Sequence, residues 1–418
     1  MNILIKSAKI VNASTKDLHL KKRDILIKNG KIDKIATKID APSNTKIVTF
    51  KNLHVSLGWF DSSVNFGEPG YEERETLSNG LDVAAKSGFT DIVLNPDCKP
   101  VPDSSSDIVF LKNAARGALT NLYPLGTLTN NAEGKDLAEL YDMGKSGAIG
   151  FYDYKSPIAN SNLLKIALQY VQNFDALVYS YPVDHKISGT GTVNEGITST
   201  KLGLKGISHL AEEIQIARDL FILEYTGGKL HIPTISTVKS VKLITDAKKK
   251  GLNVSCSTAI HNLYLTDDVL HEFDTSYKVL PPLRTKNDAR ALIKGLNDGI
   301  IDFITSDHSP KNIELKRVEF DNASYGTIGL ESSFGILNKL FELEKTIELL
   351  TKGRERYKIE STKFKIGEKA MLTLFNPMDE FTFAIEHIHS TSKNSLALGD
   401  TLKGKVHGTI NNNQLLLN

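Results

Sequence analysis

The feature that most constrains this chain is a regular alternation of short apolar runs and amphipathic segments between about residues 57 and 350. The apolar runs at 90–96 and 252–258 are typical of buried strands, and the segments at 211–227 and 236–251 have helical spacing. Strands that alternate with helices form parallel βα units. An alternation sustained over about 290 residues predicts closure into a TIM-like (β/α)8 barrel.

Both ends of the chain have a different pattern, in which apolar and polar residues alternate with a period of two. Residues 2–12 and 24–36 fit strands, and Asn29-Gly30 inside the second run is a hairpin signal. We therefore expect one small β-sandwich built from both chain ends. The predicted domains are a composite sandwich at 1–56 and 365–418 and a barrel at 57–364.

Composition argues against several classes of function. The chain has 51 basic and 49 acidic residues and a net charge of +2, so nothing favours a nucleic-acid or membrane partner. No apolar run approaches the roughly 18 residues of a membrane span, and no signal-peptide core is visible. Two distant cysteines, Cys98 and Cys256, make no disulfide framework. We therefore expect a cytoplasmic protein.

Several sequence blocks occur in a recognisable order and spacing along the chain. They are GEPG at 67–70, the run from Asn194 to His231, PPLR to DHSP at 281–310, YGTIGLESSFGIL at 325–337 and the tail at 390–410. Together they resemble the bacterial dihydroorotases of the cyclic-amidohydrolase class over nearly the whole chain. The resemblance implies the fold, whereas activity depends on the residues of the site.

The resemblance implies a site for two divalent ions, expected to be zinc, which activate water for hydrolysis of a cyclic amide. In such a site, four histidines converge at the carboxyl ends of the barrel strands. Their positions are held here by Ser63, Asn65, Tyr181 and Thr234. None of these residues supplies an imidazole nitrogen or an ordinary anion, so they are poor zinc ligands. We therefore expect no metal cofactor.

Two carboxylates of the implied site are retained. Asp307 matches the general base, and Asp153 matches an expected metal ligand. Without imidazole partners, these two carboxylates suit at best a weak site for an ion like Mg²⁺. The alternative for Asp307 is a structural carboxylate that bonds to nearby backbone or to His308.

Other histidines do not restore the missing ligands. His261 and Asn262 stand where the family has a pair of histidines, and His231 lies near the start of a predicted strand. We expect these histidines to belong to the core or the surface. His387 and His389 form an H-x-H pair in the terminal β region, where we expect a strand face.

The resemblance also implies a pocket that recognises the dihydroorotate carboxylate through an arginine, an asparagine and a histidine. Those positions hold Gly67, Asp97 and Lys311, and Leu280 replaces an asparagine that contacts the ring. Loss of the arginine removes a bidentate partner, and Asp97 adds negative charge near a negative ligand. Asp97 is equally explained as a turn residue after Pro96. In either case dihydroorotate is poorly recognised.

Three functions remain open after these replacements. The leading hypothesis is a non-catalytic, dihydroorotase-like protein of pyrimidine biosynthesis that supports aspartate carbamoyltransferase and is itself a homo-oligomer. The second is an active, zinc-dependent cyclic amidohydrolase with a site rebuilt around Asp153, Asp307 and a histidine. The third is a metal-free protein that binds a small molecule in a pocket lined by Ser63, Asn65, Tyr181 and Lys311.

Overall fold

The computed structural model describes all 418 residues, and 17 strands run through it. In chain order, the strands are β1 (Asn2–Ile10), β2 (Lys22–Lys28), β3 (Lys31–Ala36), β4 (Thr45–Val48), β5 (His54–Leu57), β6 (Trp59–Val64), β7 (Phe89–Leu94), β8 (Asn121–Pro124), β9 (Val178–Tyr179), β10 (Val193–Asn194), β11 (Gly206–Ile207), β12 (Leu230–Ile232), β13 (Val254–Ala259), β14 (Phe303–Thr305), β15 (Leu372–Thr382), β16 (Thr401–Asn411) and β17 (Gln414–Leu417).

Eight parallel segments close into a barrel. β6, β7 and β8 pair in parallel, and so do β9, β12, β13 and β14. Phe151 joins the two groups, because its backbone pairs with Gly126 on one side and with Val178 on the other. The ring closes where Val64 pairs with His308 in parallel. The predicted (β/α)8 barrel is confirmed.

Twelve α-helices surround and cap this barrel. They are α1 (Leu77–Lys86), α2 (Ser105–Ala114), α3 (Leu140–Ser146), α4 (Ser161–Val171), α5 (His185–Ser188), α6 (Ile197–Leu202), α7 (His209–Thr226), α8 (Val238–Lys249), α9 (Ile260–Tyr264), α10 (Lys286–Asn297), α11 (Leu330–Leu340) and α12 (Leu343–Thr351). The helices predicted at 211–227 and 236–251 are α7 and α8. None of the twelve combines the length and the apolar character needed to cross a lipid bilayer.

The two chain ends share one eight-stranded sheet. Its order is β17-β16-β15-β5-β1-β2-β3, with β4 paired to β1, and it packs around a separate core of 15 buried residues. Asn29 and Gly30 both have a positive φ, as the tight turn between β2 and β3 requires. The sandwich from both ends is therefore present. The sheet's strands stop at Leu57 and resume at Leu372, while the exact limits at 56/57 and 364/365 stay predictions.

The strand face predicted for His387 and His389 is wrong. β15 ends at Thr382, and His387 lies in the short 3-10 turn Ile385–His387. Its Nδ1 atom accepts a hydrogen bond from Ala384 N at 3.1 Å, so the imidazole closes this turn. A hydrogen bond from the local backbone to a side chain competes with strand formation, so the alternating spacing of these histidines does not produce a strand.

Two buried arginines fasten the barrel strands and their loops. Arg354 Nη2 donates to Asp91 Oδ2 at 2.6 Å and to Gly58 O at 2.8 Å, which ties β7 to the residue before β6. Arg284, in the PPLR block, donates to Asn194 Oδ1 and to Ile207 O, both at 2.9 Å. The bonds of Arg354 fasten the amino ends of β6 and β7, and those of Arg284 hold together β10 and β11.

Candidate functional site at the carboxyl ends of the barrel strands

The ends of β6 and β14 meet at the face of the barrel where active sites of this fold lie. Asp61 joins them, because its carboxylate accepts from Thr305 Oγ1 at 2.6 Å and from Ser306 N at 2.9 Å. Beyond this junction, Ser63 lies close enough to the carboxylate of Asp307 to lower its pKa by hydrogen bonding. The first and last barrel strands thus bring two of the predicted pocket residues together.

Asp307 forms a buried ion pair with Lys155, a residue that the sequence analysis did not single out. Lys155 Nζ donates to Asp307 Oδ2 at 3.0 Å, and the two side chains are 15% and 3% exposed. Burial raises the pKa of Asp307, and the positive charge of Lys155 opposes that rise. The partners named in the structural alternative for Asp307, nearby backbone or His308, are therefore wrong. His308 instead accepts a hydrogen bond from Gly329 N at 3.2 Å.

Two of the four positions of the implied histidine ligands have other hydrogen-bond partners. Ser63 Oγ accepts from Asn95 Nδ2 at 2.8 Å, and Asn65 Nδ2 donates to the hydroxyl of Tyr154 at 2.7 Å. Tyr181 is buried, and its hydroxyl oxygen has no hydrogen-bond partner. These are neutral oxygens and amides, which are weak donors to zinc. Tyr154 is a second pocket residue that the sequence analysis missed.

Thr234 and Asp307 share a left-handed backbone, with φ of 47° at each residue. This conformation is uncommon for any residue except glycine and is an outlier for a β-branched one such as Thr234. It also explains why β12 ends at Ile232 instead of running through the predicted segment 229–235. Backbone strain of this kind clusters at ligand sites. Two of the implied site positions, Thr234 and Asp307, therefore have the strained backbone that is common at ligand sites.

Asp153 takes no part in this cluster. Its Oδ1 atom accepts from Leu128 N at 2.8 Å and from Thr129 N at 3.0 Å, and its Oδ2 atom accepts from the Thr129 hydroxyl. Both oxygens are thus used to hold the 128–129 loop. The pairing of Asp153 with Asp307 in a residual metal site is therefore not supported by the contacts of either carboxylate.

His261 lies close enough to the ion pair for the charge of Lys155 to act on its ring. It is buried, neither ring nitrogen has a partner, and burial together with the charge of Lys155 lowers its pKa to about 3. The ring is therefore neutral near pH 7. However, no group of three or more histidine, cysteine, aspartate or glutamate side chains is arranged to hold a metal ion anywhere in the chain. The donor set does not fit the two zinc ions that the resemblance implies.

The residues at the implied substrate positions form a second ion pair. Lys311 Nζ lies 3.7 Å from Asp97 Oδ2, so the positive charge that remains in the pocket is already partnered. Asp97 also has a turn role, because its N–H donates to Asn95 O at 2.9 Å. This bond agrees with the turn interpretation of Asp97, whereas its effect on an anionic substrate stays a prediction. Gly67 has φ of 106°, and a side chain there would meet Tyr71 O at 2.7 Å.

The wall of the pocket is apolar and aromatic on its other side. Leu280 packs against a buried cluster that includes Tyr152, Tyr179 and Tyr181. Inside the barrel, the ring of His231 stacks on Phe303 with centroids 5.1 Å apart, which confirms that this histidine belongs to the core. The barrel interior below the ion pair is therefore filled with side chains.

The two cysteines lie outside this chemistry. Cys98 is buried, and burial raises the pKa of its thiol to about 12. Cys256 is buried within β13, and its thiol pKa is raised for the same reason. Neither thiol is ionised near pH 7, so neither resembles a catalytic nucleophile.

The barrel and its attached sheet have the fold of the cyclic amidohydrolases. The structure aligns with L-hydantoinase (dihydropyrimidinase) from Arthrobacter aurescens at a TM-score of 0.84 and 20% identity, over 99% of this chain and 96% of that one. It aligns with dihydropyrimidinase from Brevibacillus agri NCHU1002 at a TM-score of 0.81 and 20% identity, over 100% of this chain and 95% of that one. At this identity, the likeness concerns the fold alone.

The sequence places the chain more narrowly. Residues 54–240 match the family model described as dihydro-orotase-like. The chain is 35% identical to the dihydroorotase of Geotalea daltonii over 98% of both proteins. It is 36% identical to the dihydroorotase of Syntrophus aciditrophicus, again over 98% of both. The chain belongs to the dihydroorotase family.

Proposed function

We propose that this chain is a dihydroorotase-family protein that does not hydrolyse dihydroorotate and that acts as a structural partner of aspartate carbamoyltransferase. The lack of dihydroorotate hydrolysis is inferred from the buried ion pair of Lys155 and Asp307. It lies where the family's general base would face metal-bound water, and the four positions implied for the histidine ligands hold hydroxyls and an amide.

The ion pair explains why the retained Asp307 does not suffice for hydrolysis. A general base must accept a proton from the attacking water, and it works best when that water is already acidified. In this pocket one oxygen of Asp307 accepts from an ammonium group instead. No group of three or more histidine, cysteine, aspartate or glutamate side chains is arranged around it in the way that zinc is normally held.

The substrate positions support the same conclusion. A carboxylate ligand is best held by a planar arginine fork. Gly67 offers no side chain, and the nearby Arg74 stacks its guanidinium 3.8 Å above the ring of Tyr71. Lys311 is paired with Asp97 at 3.7 Å. Dihydroorotate would have to break this pair and accept Asp97 as a neighbour of like charge.

The structural role is supported by the contrast between the pocket and its frame. The PPLR arginine, Arg284, keeps a full set of buried partners, and Glu212 accepts from Ser236 N at 2.7 Å beneath it. The buried hydrogen bonds that support the barrel are intact, whereas the charged side chains of the pocket are paired with one another. A barrel of this kind is suited to binding a partner through its outer surface. The family resemblance supplies aspartate carbamoyltransferase as the partner to test.

The experiment mixes the purified chain with aspartate carbamoyltransferase from the same organism. Sedimentation of each protein alone and of the mixture measures assembly, and carbamoyl aspartate formation measures the effect on the partner. We expect a complex of defined stoichiometry and a transferase that is more active or more stable within it. Two proteins that sediment independently over a wide concentration range would refute the structural role.

A second candidate, a metal-free ligand-binding protein, is favoured by unpartnered buried polar atoms around the ion pair. They belong to Asn65 Oδ1, Tyr181 OH, Asp307 Oδ1 and both ring nitrogens of His261. Buried polar atoms normally have partners, so these atoms are available to bond a small polar molecule or water. Thermal shift measurements with a set of small amides and carboxylates test this candidate. A shift that disappears in Asn65→Leu would favour it over a purely structural role.

A further inference from the structure

A cavity of about 740 Å³ opens where the terminal sheet meets the barrel. Strands of the sheet line one side of it, and helices α11 and α12 line the other. None of its lining residues belongs to the pocket of Lys155 and Asp307. Clefts between two packed domains are common ligand sites. This cavity is therefore a candidate for a second site, apart from the one that the barrel fold implies.

Two lysines on the sheet side of the cavity have no acidic partner. Lys9 of β1 and Lys403 of β16 are partly buried, and neither ammonium group forms an ion pair or a side-chain hydrogen bond within the chain. Glu380 lies opposite Lys403 in the sheet but does not pair with it. Lys22 lies opposite Lys9 and adds a further positive charge nearby. An anion that enters the cavity would therefore meet two cations that are free to bind it.

A buried histidine lies beside Lys9 and also lines the cavity. His54 pairs with Lys9 in the parallel ladder of β5 and β1, so the two side chains point to the same face of the sheet. His54 is 5% exposed, and its Nδ1 atom is bonded to Asn52 O at 2.8 Å. The opposite ring nitrogen, Nε2, has no partner in the chain. Buried polar atoms normally have partners, and a ligand in the cavity would provide one.

The first turn of α12 offers hydrogen-bond donors on the other side of the cavity. This helix begins at Leu343, and its N-cap residue, Glu342, makes no side-chain hydrogen bond to it. The N–H groups of Leu343, Glu344 and Lys345 therefore have no acceptor within the chain. Leu343 and Lys345 both line the cavity. Free N–H groups at the positive end of a helix dipole form a favourable place for an anion.

The features that disfavour an anion are largely compensated. The carboxyl ends of α10 and α11 also reach the cavity. However, carbonyl groups at the end of α10 accept from the N–H groups of residues 299–300, and Lys339 places an ammonium group in the last turn of α11. Glu342 is the only carboxylate among the lining residues, and it is exposed. Four lysines line the cavity, and one of them, Lys345, is paired with Glu348. The lining is therefore positive overall.

We propose that this cavity, which we call the junction site, binds a small phosphate monoester. A phosphate group carries up to about two negative charges and offers three acceptor oxygens, which suits two ammonium groups and donors on opposite sides. Lys9 and Lys403 neutralise the group, and the first turn of α12 donates to its oxygens. His54 Nε2 accepts from a protonated oxygen, or donates to an unprotonated one when the ring is itself protonated. The organic part lies against an apolar wall of Leu340, Phe341 and Met378.

Titration calorimetry of the full chain at constant ionic strength tests the junction site, with inorganic phosphate and phenyl phosphate as probes. We expect one site per chain and tighter binding of phenyl phosphate, because its ring contacts the apolar wall. The variant Lys9→Gln/Lys403→Gln should bind both probes more than about tenfold more weakly, since it lacks two charge-assisted bonds. Lys405→Gln is the matched control, because it removes an exposed lysine from the same strand as Lys403. It should bind like the wild type, and circular dichroism verifies that all variants are folded.

Three results would overturn the proposal. The first is the absence of saturable phenyl phosphate binding up to millimolar concentrations. The second is an unchanged affinity in the folded double variant, and loss of binding in Lys311→Met would then place the phosphate in the pocket at the carboxyl ends of the barrel strands. The third is phenyl phosphate that binds no more tightly than inorganic phosphate, because the apolar wall would then hold no organic part.

A second measurement follows the imidazole of His54 by NMR through a pH titration, with His54→Gln used to identify its resonance. Burial and the charges of Lys9 and Lys22 lower the pKa of His54 in the free protein. Saturating inorganic phosphate should raise this pKa by about one pH unit, because an anion beside the ring favours its protonated form. The rise should be absent in Lys9→Gln/Lys403→Gln at the same phosphate concentration. A pKa of His54 that stays constant while phosphate binds would contradict the proposed contact with Nε2.

Discussion

Lys155→Met is the change that tests most deeply how this pocket is held together. Methionine keeps a long flexible stem of similar volume but removes the ammonium that donates to Asp307 Oδ2 at 3.0 Å. Asp307 is then a carboxylate that is 3% exposed and has lost its only close cation. Lys311, the other cation that lowers the pKa of Asp307, is paired with Asp97 and compensates little.

The expected loss of stability follows from the burial of the pair. Removing one partner of a buried ion pair costs about 3–5 kcal/mol, because the remaining charge is left unpaired in a poorly solvated place. Lys155 keeps 15% of its side chain exposed, so we expect the lower end of that range, about 3 kcal/mol. The double variant Lys155→Met/Asp307→Asn removes both charges. It should recover most of this loss, since neutral replacement of a buried pair is often tolerated.

The pH dependence has a defined sign. Burial already raises the pKa of Asp307 above its unfolded value, and loss of Lys155 raises it further. Between the unfolded and folded pKa values, the folded protein binds more protons than the unfolded one, so stability falls as the pH rises through this interval. The window lies above 3.8, the unperturbed value. The defect of Lys155→Met should therefore be largest near neutral pH and smaller at about pH 5.

Equilibrium urea unfolding of the wild type and of the single and double variants measures these differences at each pH. Lys155→Met with the stability of the wild type at neutral pH would refute the reasoning. A double variant that is less stable than Lys155→Met would do the same, because it would show that the cost does not come from an unpaired carboxylate.

Three further predictions concern the frame, the buried histidines and the lost ligands. Arg354→Met should cost about 3–5 kcal/mol in urea unfolding, because Asp91 loses its buried cation, while Arg116→Met on the exposed surface should cost almost nothing. The pKa of His261 is lowered to about 3, so stability should be lost as the pH falls from 6.5 toward that value. His261→Asn should reduce this slope by up to about 1.4 kcal/mol per pH unit in acid unfolding. The third prediction concerns a variant with histidines at the four implied ligand positions. Atomic emission should detect bound zinc in this variant and only background zinc in the wild type. The variant combines Lys155→Gly with Ser63→His, Asn65→His, Tyr181→His and Thr234→His.

The barrel could be predicted because its signal is local and repeated. The apolar run at 252–258 predicts a buried strand, and the spacing at 236–251 predicts an amphipathic helix. The structure has both elements there. The limits of short strands were less predictable. The strand at 229–235 stops at Ile232, because Pro233 cannot donate to the ladder and Thr234 turns left-handed.

The pocket could be predicted only in part. The resemblance was enough to predict that the four implied histidine ligands are replaced, because each replacement is seen by comparing a single position with the family's motif. Its new ion pair was not visible, because Lys155 and Asp307 are 152 residues apart and neither pattern reveals the other. The one available signal was that Lys155 stands two residues after Asp153, at the end of the same barrel segment. The sequence analysis instead assigned Asp153 to the site, although its carboxylate accepts a hydrogen bond from Thr129 N.

The central claim is that this dihydroorotase-family barrel holds a lysine–aspartate pair where hydrolysis would need two metal ions. The most direct measurement is the rate of dihydroorotate ring opening by protein produced with added zinc and purified without chelator. We expect a rate equal to that of buffer, unchanged in Asp307→Asn. Zinc-dependent ring opening by the wild type that is lost in Asp307→Asn would contradict the claim.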